Sequence, residues 1–246
     1  MKENFFKQAM LFITLMTCTM ISNAHGANSS TQIDPKPPFQ ENFNRREELT
    51  KLYEQHASTP SDINEHVPVL RKLAKECSSV VEIGIRSMVS TWGIVLGLSE
   101  NTNPSRSYLG IDLQNPPLEK LYLIKRLAED NEISFQFLAA NDMEINIPQT
   151  DMLFIDSMHT YCHLTYELNK FESKVNKYIT LHDTSPPWGY TDDYEYRGDY
   201  SEYPAEISRT KRGLWPAVED FLASHPDWKL IERRFNNHGF TILKRQ

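Results

Sequence analysis

Four short apolar runs end in residues that can hold or move a charge. Ser79-Val80-Val81 leads to Glu82, and Tyr108-Leu109-Gly110-Ile111 leads to Asp112. Asp151-Met152-Leu153-Phe154-Ile155 leads to Asp156, and Tyr178-Ile179-Thr180-Leu181 leads to His182-Asp183. A strand end is a rigid mount for a carboxylate or an imidazole, and in open α/β sheets ligands sit at the carboxyl ends of the strands. One such acid would read as a cap for the next helix. Four at equivalent positions read as a site. A different chemistry is spelled by residues 185–212, which hold five of the 11 tyrosines (Tyr190, Tyr194, Tyr196, Tyr200, Tyr203) and Trp188. Asp192, Asp193, Glu195, Asp199, Glu202 and Glu206 are interleaved with them. Aromatic rings among acids suit stacking on a sugar and hydrogen bonding to its hydroxyls. The plainer reading is a solvated lid whose tyrosines pack on the domain.

The elements that must position these residues alternate. Short β-branched runs mark strands at 79–84, 108–112, 133–138, 151–156 and 178–182. Helical periodicity marks 45–56, 66–77, 89–98, 118–130, 161–175 and 214–223. Residues 228–235 and 240–243 close as a hairpin about Asn236-Asn237-His238-Gly239. Strands alternating with helices predict a Rossmann-like, doubly wound α/β fold. Its sheet is mostly parallel and seven-stranded, with an antiparallel C-terminal hairpin.

Composition narrows the class. The chain has 246 residues, 39% hydrophobic and 24% charged, which excludes a disordered chain or a multi-span membrane protein. A net charge of −7 argues against nucleic acid as the main partner. Only 9 glycines are present, so no glycine-rich loop is promised.

The N-terminus reads as an address. Lys2 and Lys7 precede an uncharged, mostly apolar stretch from Ala9 to Ile21, and Ser22-Asn23-Ala24 offers a cleavage site. That stretch is shorter than the roughly 20 residues of a spanning helix, so no stable membrane span is expected once it is removed. The expected layout is a signal peptide at 1–24, a linker at 25–43 and one domain at 44–246 with the insert at 185–212. The expected location is periplasmic or secreted. The alternatives are a membrane anchor at the N-terminus, or a buried N-terminal helix. Cys18 would leave with the signal, and Cys77 and Cys162 are expected as free buried thiols rather than a framework.

Glu82-Ile83-Gly84-Ile85-Arg86-Ser87-Met88-Val89-Ser90-Thr91-Trp92 resembles the first motif of class I S-adenosylmethionine-dependent methyltransferases. The branch it is most similar to includes cephalosporin-hydroxylase-like and sugar O-methyltransferases. Phe154 to Tyr161, Leu181 to Thr184, Gly213 to Leu222 and Asn236 to Thr241 fit the same branch in the same order. The resemblance spans about residues 65–246.

The resemblance implies roles for particular residues. Glu82 and Gly84 lie on the loop facing the methionine and ribose of the cofactor, and Ser90 and Thr91 start the helix behind it. Asp112 accepts hydrogen bonds from the ribose hydroxyls, and Asn141-Asp142 hold the adenine amino group. Asp156 lies near the methionine amine or a metal, with His159 beside it. Related enzymes hold a divalent metal at the ends of these strands, so Asp156, His182 and Asp183 become metal candidates. Mg²⁺ prefers the two carboxylates, and His182 suits Mn²⁺, Fe²⁺ or Zn²⁺. Alternatively His182 or His159 is a general base without metal, or His182 is a strand-end histidine bonded to a backbone carbonyl. The family's glycines are replaced by Ser87 and Met88, so Met88 either packs under the helix or narrows the pocket.

The function implied is O-methyl transfer, metal-assisted or not, to a hydroxylated small molecule or glycan. Two alternatives stand beside it: a non-catalytic binding protein on a decayed methyltransferase fold, and a metal-dependent hydroxylase-like enzyme. The oligomeric state is not legible.

Overall fold

The computed structural model describes residues 38–193 and 200–246. Its elements follow the order α1 (Pro38–Ser58), α2 (Val67–Lys75), β1 (Ser79–Ile83), α3 (Val89–Glu100), β2 (Arg106–Asp112), α4 (Leu118–Asp130) and β3 (Ile133–Ala139). Then come β4 (Thr150–Ile155), α5 (Tyr161–Phe171), β5 (Val175–His182), α6 (Leu214–Ser224), β6 (Trp228–Arg234) and β7 (Phe240–Arg245). The signal-peptide reading falls outside the described residues, as do Tyr194 and Tyr196. Helix α1 begins at Pro38, so the end of the expected linker is helical.

All seven strands form one sheet in the order β3-β2-β1-β4-β5-β7-β6. The first five are parallel, and β7 runs antiparallel between β5 and β6. The strand order reverses between β1 and β4, which opens the crevice at their carboxyl ends.

Alternation along the strands sends successive side chains to opposite faces. Val80, Met152 and Phe154 join a core with α1, α2, α3 and α4. Val81, Leu153 and Ile155 join a second core with α5 and α6. Tyr203 and Ile207 of the insert belong to that second core, so this part of the insert is packed down. Asp192 clamps it: Oδ1 accepts from the backbone N–H of Tyr161 (2.9 Å) and of Gly213 (2.8 Å), at the starts of α5 and α6. A buried carboxylate on two helix N-termini is a favourable electrostatic arrangement. The packed-tyrosine reading therefore describes Tyr203. Tyr190 is half exposed.

Two of the scarce glycines serve helix packing. Gly93 and Gly97 lie four apart on α3, against α2. A Cβ at Gly97 would stand 2.3 Å from the Arg71 carbonyl oxygen, and one at Gly93 would stand 2.6 Å from that of Val67. Cys77 and Cys162 are buried and unpaired. Among the described residues, no helix is long and apolar enough to cross a membrane.

Gly97→Ala is expected to force α2 from α3 and cost about 1–3 kcal/mol, read as a lower denaturant midpoint. An unchanged midpoint would show that the helices can separate freely.

Candidate active site

The crevice is built from four strand ends, those of β1, β2, β4 and β5, and a hairpin. Gly84 has φ of +83° and lies against β4, where a Cβ would stand 2.0 Å from the Asp156 carbonyl oxygen. Only glycine permits that approach. The Gly84 N–H donates to Ile111 O (2.9 Å), and the Asp156 N–H donates to Ile83 O (2.8 Å). Asp112 then gathers the loop after β1. Its Oδ2 accepts from the N–H groups of Ile85 and Arg86, both at 2.9 Å, and its Oδ1 accepts from Gln114 N–H at 3.0 Å. Met88 is fully buried in the first core with φ of +66°. It packs under the helix, among the core side chains. The Ser87 carbonyl accepts from Lys120 Nζ at 3.3 Å.

Glu82, Ser90 and Thr91 come together, but beneath the loop. Glu82 is wholly buried and accepts from the hydroxyls of Ser90, Thr91 (3.0 Å) and Tyr108 (2.5 Å). Its placement departs from a direct cofactor contact. Burial pushes its carboxyl up to about 7, against the pull of these hydroxyls.

Asp156, His159, His182 and Asp183 converge. His182 Nδ1 lies 3.2 Å from Asp156 Oδ1 and 3.2 Å from Asp183 Oδ2. His182 Nε2 donates to Asn237 O at 3.0 Å. This carbonyl fixes the ring, so the strand-end hydrogen bond and the ligand-like orientation of Nδ1 coexist. One donor atom from each of Asp156, His182 and Asp183 lies within 4.8 Å of the others. His159 Nε2 stands 2.9 Å from Asp183 Oδ2, and its ring stacks on Trp188 of the insert at 5.7 Å. His238 Nδ1 lies 3.5 Å from Asp183 Oδ1.

Charge balance follows from this geometry. Burial lowers the His182 pKa, but Asp156 and Asp183 outweigh it and raise it well above the histidine value. Burial opposes the ionisation of Asp183, yet His159 and His182 hold its carboxyl well below the usual range. His159 is likewise raised by Asp183 against the pull of burial.

Asn141 and Asp142 part company. Asn141 Oδ1 accepts from Met143 N–H (3.0 Å) at the edge of an open groove. Asp142 turns inward, with Oδ2 2.9 Å from His163 Nε2. Its burial departs from the expected adenine contact, because its carboxylate is engaged inside the domain.

Sequence reasoning missed His66, Asn237, His163 and Glu167. His66 donates from Nε2 toward Asn236 O (3.0 Å) and Asn237 O (3.2 Å). Its ring meets His182 edge-on at 5.7 Å. Burial and the nearby His182 lower its pKa to about 4, so it is neutral. The i,i+4 spacing of His163 and Glu167 was the one local signal available.

No protein-family model matches the sequence, and no curated protein matches it. Solved structures do match. A structural-genomics protein from Corynebacterium glutamicum superposes with a TM-score of 0.50 at 14% identity, over 88% of this chain and 92% of that one. An O-methyltransferase from Bacillus cereus in complex with SAH gives 0.49 at 13% identity, over 87% and 94%. The tomaymycin-synthesis O-methyltransferase of Streptomyces achromogenes in complex with SAM gives 0.47 at 13%, over 82% and 89%. At such identities the likeness concerns the fold. Together with the strand order, the superposition at 0.50 shows the Rossmann-like, doubly wound fold expected from the sequence.

Glu82 yields a test. A carboxyl raised from 4.5 to about 7 costs nothing below pH 4.5, where it is neutral in both folded and unfolded chains. Its unfavourable contribution grows as pH rises through that window and is complete above about 7. Glu82→Gln is expected to flatten melting temperature against pH between 4.5 and 7 and to stabilise the protein at pH 8. The gain at pH 8 should be on the order of 1–3 kcal/mol. A variant with the wild-type pH slope would contradict this.

Proposed function

We propose that this chain is an S-adenosylmethionine-dependent O-methyltransferase, metal-assisted, acting on a hydroxylated small molecule or glycan. The observation that carries the reading is the convergence, at the switch point of this fold, of the Asp112-held loop with the Asp156–His182–Asp183 cluster. The loop and Asp112 form the ribose-side wall of the cofactor site. The strand-end carboxylates present negative charge to a cationic sulfonium.

The donor set fits a divalent metal. With Nε2–H committed to the Asn237 carbonyl, His182 aims Nδ1 at the gap between two carboxylates, where a bound ion would take the place of the Nδ1 proton. This is how a ligating histidine is held. Asp156, His182 and Asp183 would hold the ion, with Mn²⁺ suiting the mixed set better than Mg²⁺. When bound, a divalent ion lowers the pKa of a coordinated acceptor hydroxyl.

The remaining tasks fall to side chains. Methyl transfer is an in-line displacement, so the protein's main contribution is alignment. Trp188, stacked on His159, offers an apolar wall beside the cluster. His159, with a raised pKa and its Nε2 at Asp183, takes up the hydroxyl proton once deprotonated itself. The signal-like segment supports export, with the acceptor met outside the cytoplasm, and sequencing of the mature N-terminus checks this.

Calorimetric titration should show S-adenosylmethionine binding that Asp112→Ala weakens at least tenfold. Asp183→Asn should keep that binding within a few fold while turnover on a panel of glycans and phenolic or sugar alcohols falls at least 100-fold. Because His159 is raised, turnover should climb with pH through a value above 6.5, and His159→Gln should lose that limb. Absence of cofactor binding with or without Mn²⁺ would overturn the proposal.

A further inference from the structure

A second cluster lies inside the domain, behind the strand-end site: Glu167 lines one small cavity with Asp156, His159 and His182. Helix α5 sets His163 and Glu167 four residues apart, on one face. The connection after β3 brings Asp142 to that face, and Lys170 Nζ pins the connection by donating to Asp142 O (2.8 Å) and Met143 O (2.7 Å). His163 Nε2 stands 2.9 Å from Asp142 Oδ2 and 3.7 Å from Glu167 Oε1. One donor atom from each of the three residues lies within 4.8 Å of the others. All three are buried, Glu167 completely.

An outer ring of hydrogen bonds orients these donors. Ser157 Oγ donates to Glu167 Oε1 at 2.7 Å. The Tyr203 hydroxyl lies 3.0 Å from His163 Nδ1 and 3.8 Å from Met158 Sδ, a geometry in which it can accept from Nδ1–H while donating to the thioether. Nε2 is the nitrogen that faces the carboxylates. The other Glu167 oxygen, Oε2, is buried with no hydrogen-bond partner. Two buried carboxyls side by side need positive charge or protons between them; in the metal-free protein these are a raised-pKa His163 and a protonated Glu167, the protons that a metal ion would displace.

We propose that Asp142, His163 and Glu167 form a buried site for a first-row divalent metal ion, distinct from the Asp156–His182–Asp183 cluster. One imidazole nitrogen and two carboxylates, without thiolate, are the donor chemistry of Zn²⁺ or Mn²⁺. The ion balances two carboxylates and takes up the orphan oxygen, and Tyr203 and Ser157 supply the supporting hydrogen bonds of a metal centre. The site would brace α5, the connection carrying Asn141, and Tyr203 of the insert. The proposal does not rest on methyl transfer.

The experiment strips the full-length protein with chelator, adds back Zn²⁺, and reads bound metal and melting temperature. Wild type and Asp183→Asn should each retain at least one equivalent of Zn²⁺ and melt several degrees higher with it. Glu167→Gln should bind at this site at least tenfold more weakly and lose the thermal gain, although Gln still accepts from Ser157. Co²⁺ in Asp183→Asn should give visible absorption that the added His163→Gln change removes. Without a metal, Glu167 would be protonated over much of the neutral range, since burial pushes it up to about 8, and Glu167→Gln would be nearly silent. Equal Zn²⁺ binding by Glu167→Gln and wild type overturns the proposal, as does absence of Zn²⁺ from Asp183→Asn. If Glu167→Gln fails to fold by far-UV circular dichroism, Asp142→Asn carries the same comparison.

Discussion

The site depends on one close approach, the passage of the Gly84 backbone over the end of β4. No side chain fits between Gly84 and the Asp156 carbonyl. Because β1 and β4 lie side by side where the strand order reverses, this contact brings the loop after β1 and the Asp156 cluster into one crevice. Asp112 extends the lock to β2 by holding two loop N–H groups on one oxygen. A side chain at residue 84 would push apart the two halves of the site.

A second set of contacts closes the crevice from the hairpin side. Asn237 Nδ2 donates to Ser61 O (2.8 Å), and Asn237 Oδ1 accepts from Glu65 N–H (3.2 Å), so the β6–β7 turn is tied to the connection between α1 and α2. The backbone carbonyls of that turn receive both His66 and His182. Two histidines facing one turn are held in opposite charge states by their other neighbours. His66 has no carboxylate beside its ring and stays neutral, whereas His182 faces two.

Much of the fold was legible. Every strand was recognisable from its β-branched or apolar run, with boundaries moved by a few residues, and the antiparallel close followed from Asn236 to Gly239. Helix α1 starts earlier than expected because Pro38 suits a first helical turn, where its missing N–H is no loss. The convergence of Asp156, His159, His182 and Asp183 was also legible, since strand ends of a parallel sheet must share an edge. The inward turn of Asp142 was not, nor the burial of Glu82 under its loop. Each depends on partners far along the chain, His163 for one and Tyr108 for the other.

Sequence alone determined the alternation of elements, the acids at the strand ends and the glycine the loop requires, because periodicity and backbone freedom are local properties. Tertiary structure decided which way each polar side chain faces. Met88 became core, Asp192 became a clamp on two helices, and His163 met Asp142 and Glu167 in the interior. Those outcomes come from packing two cores against one sheet. A buried polar group must find its partner wherever the fold happens to bring one, and no local pattern names that partner in advance.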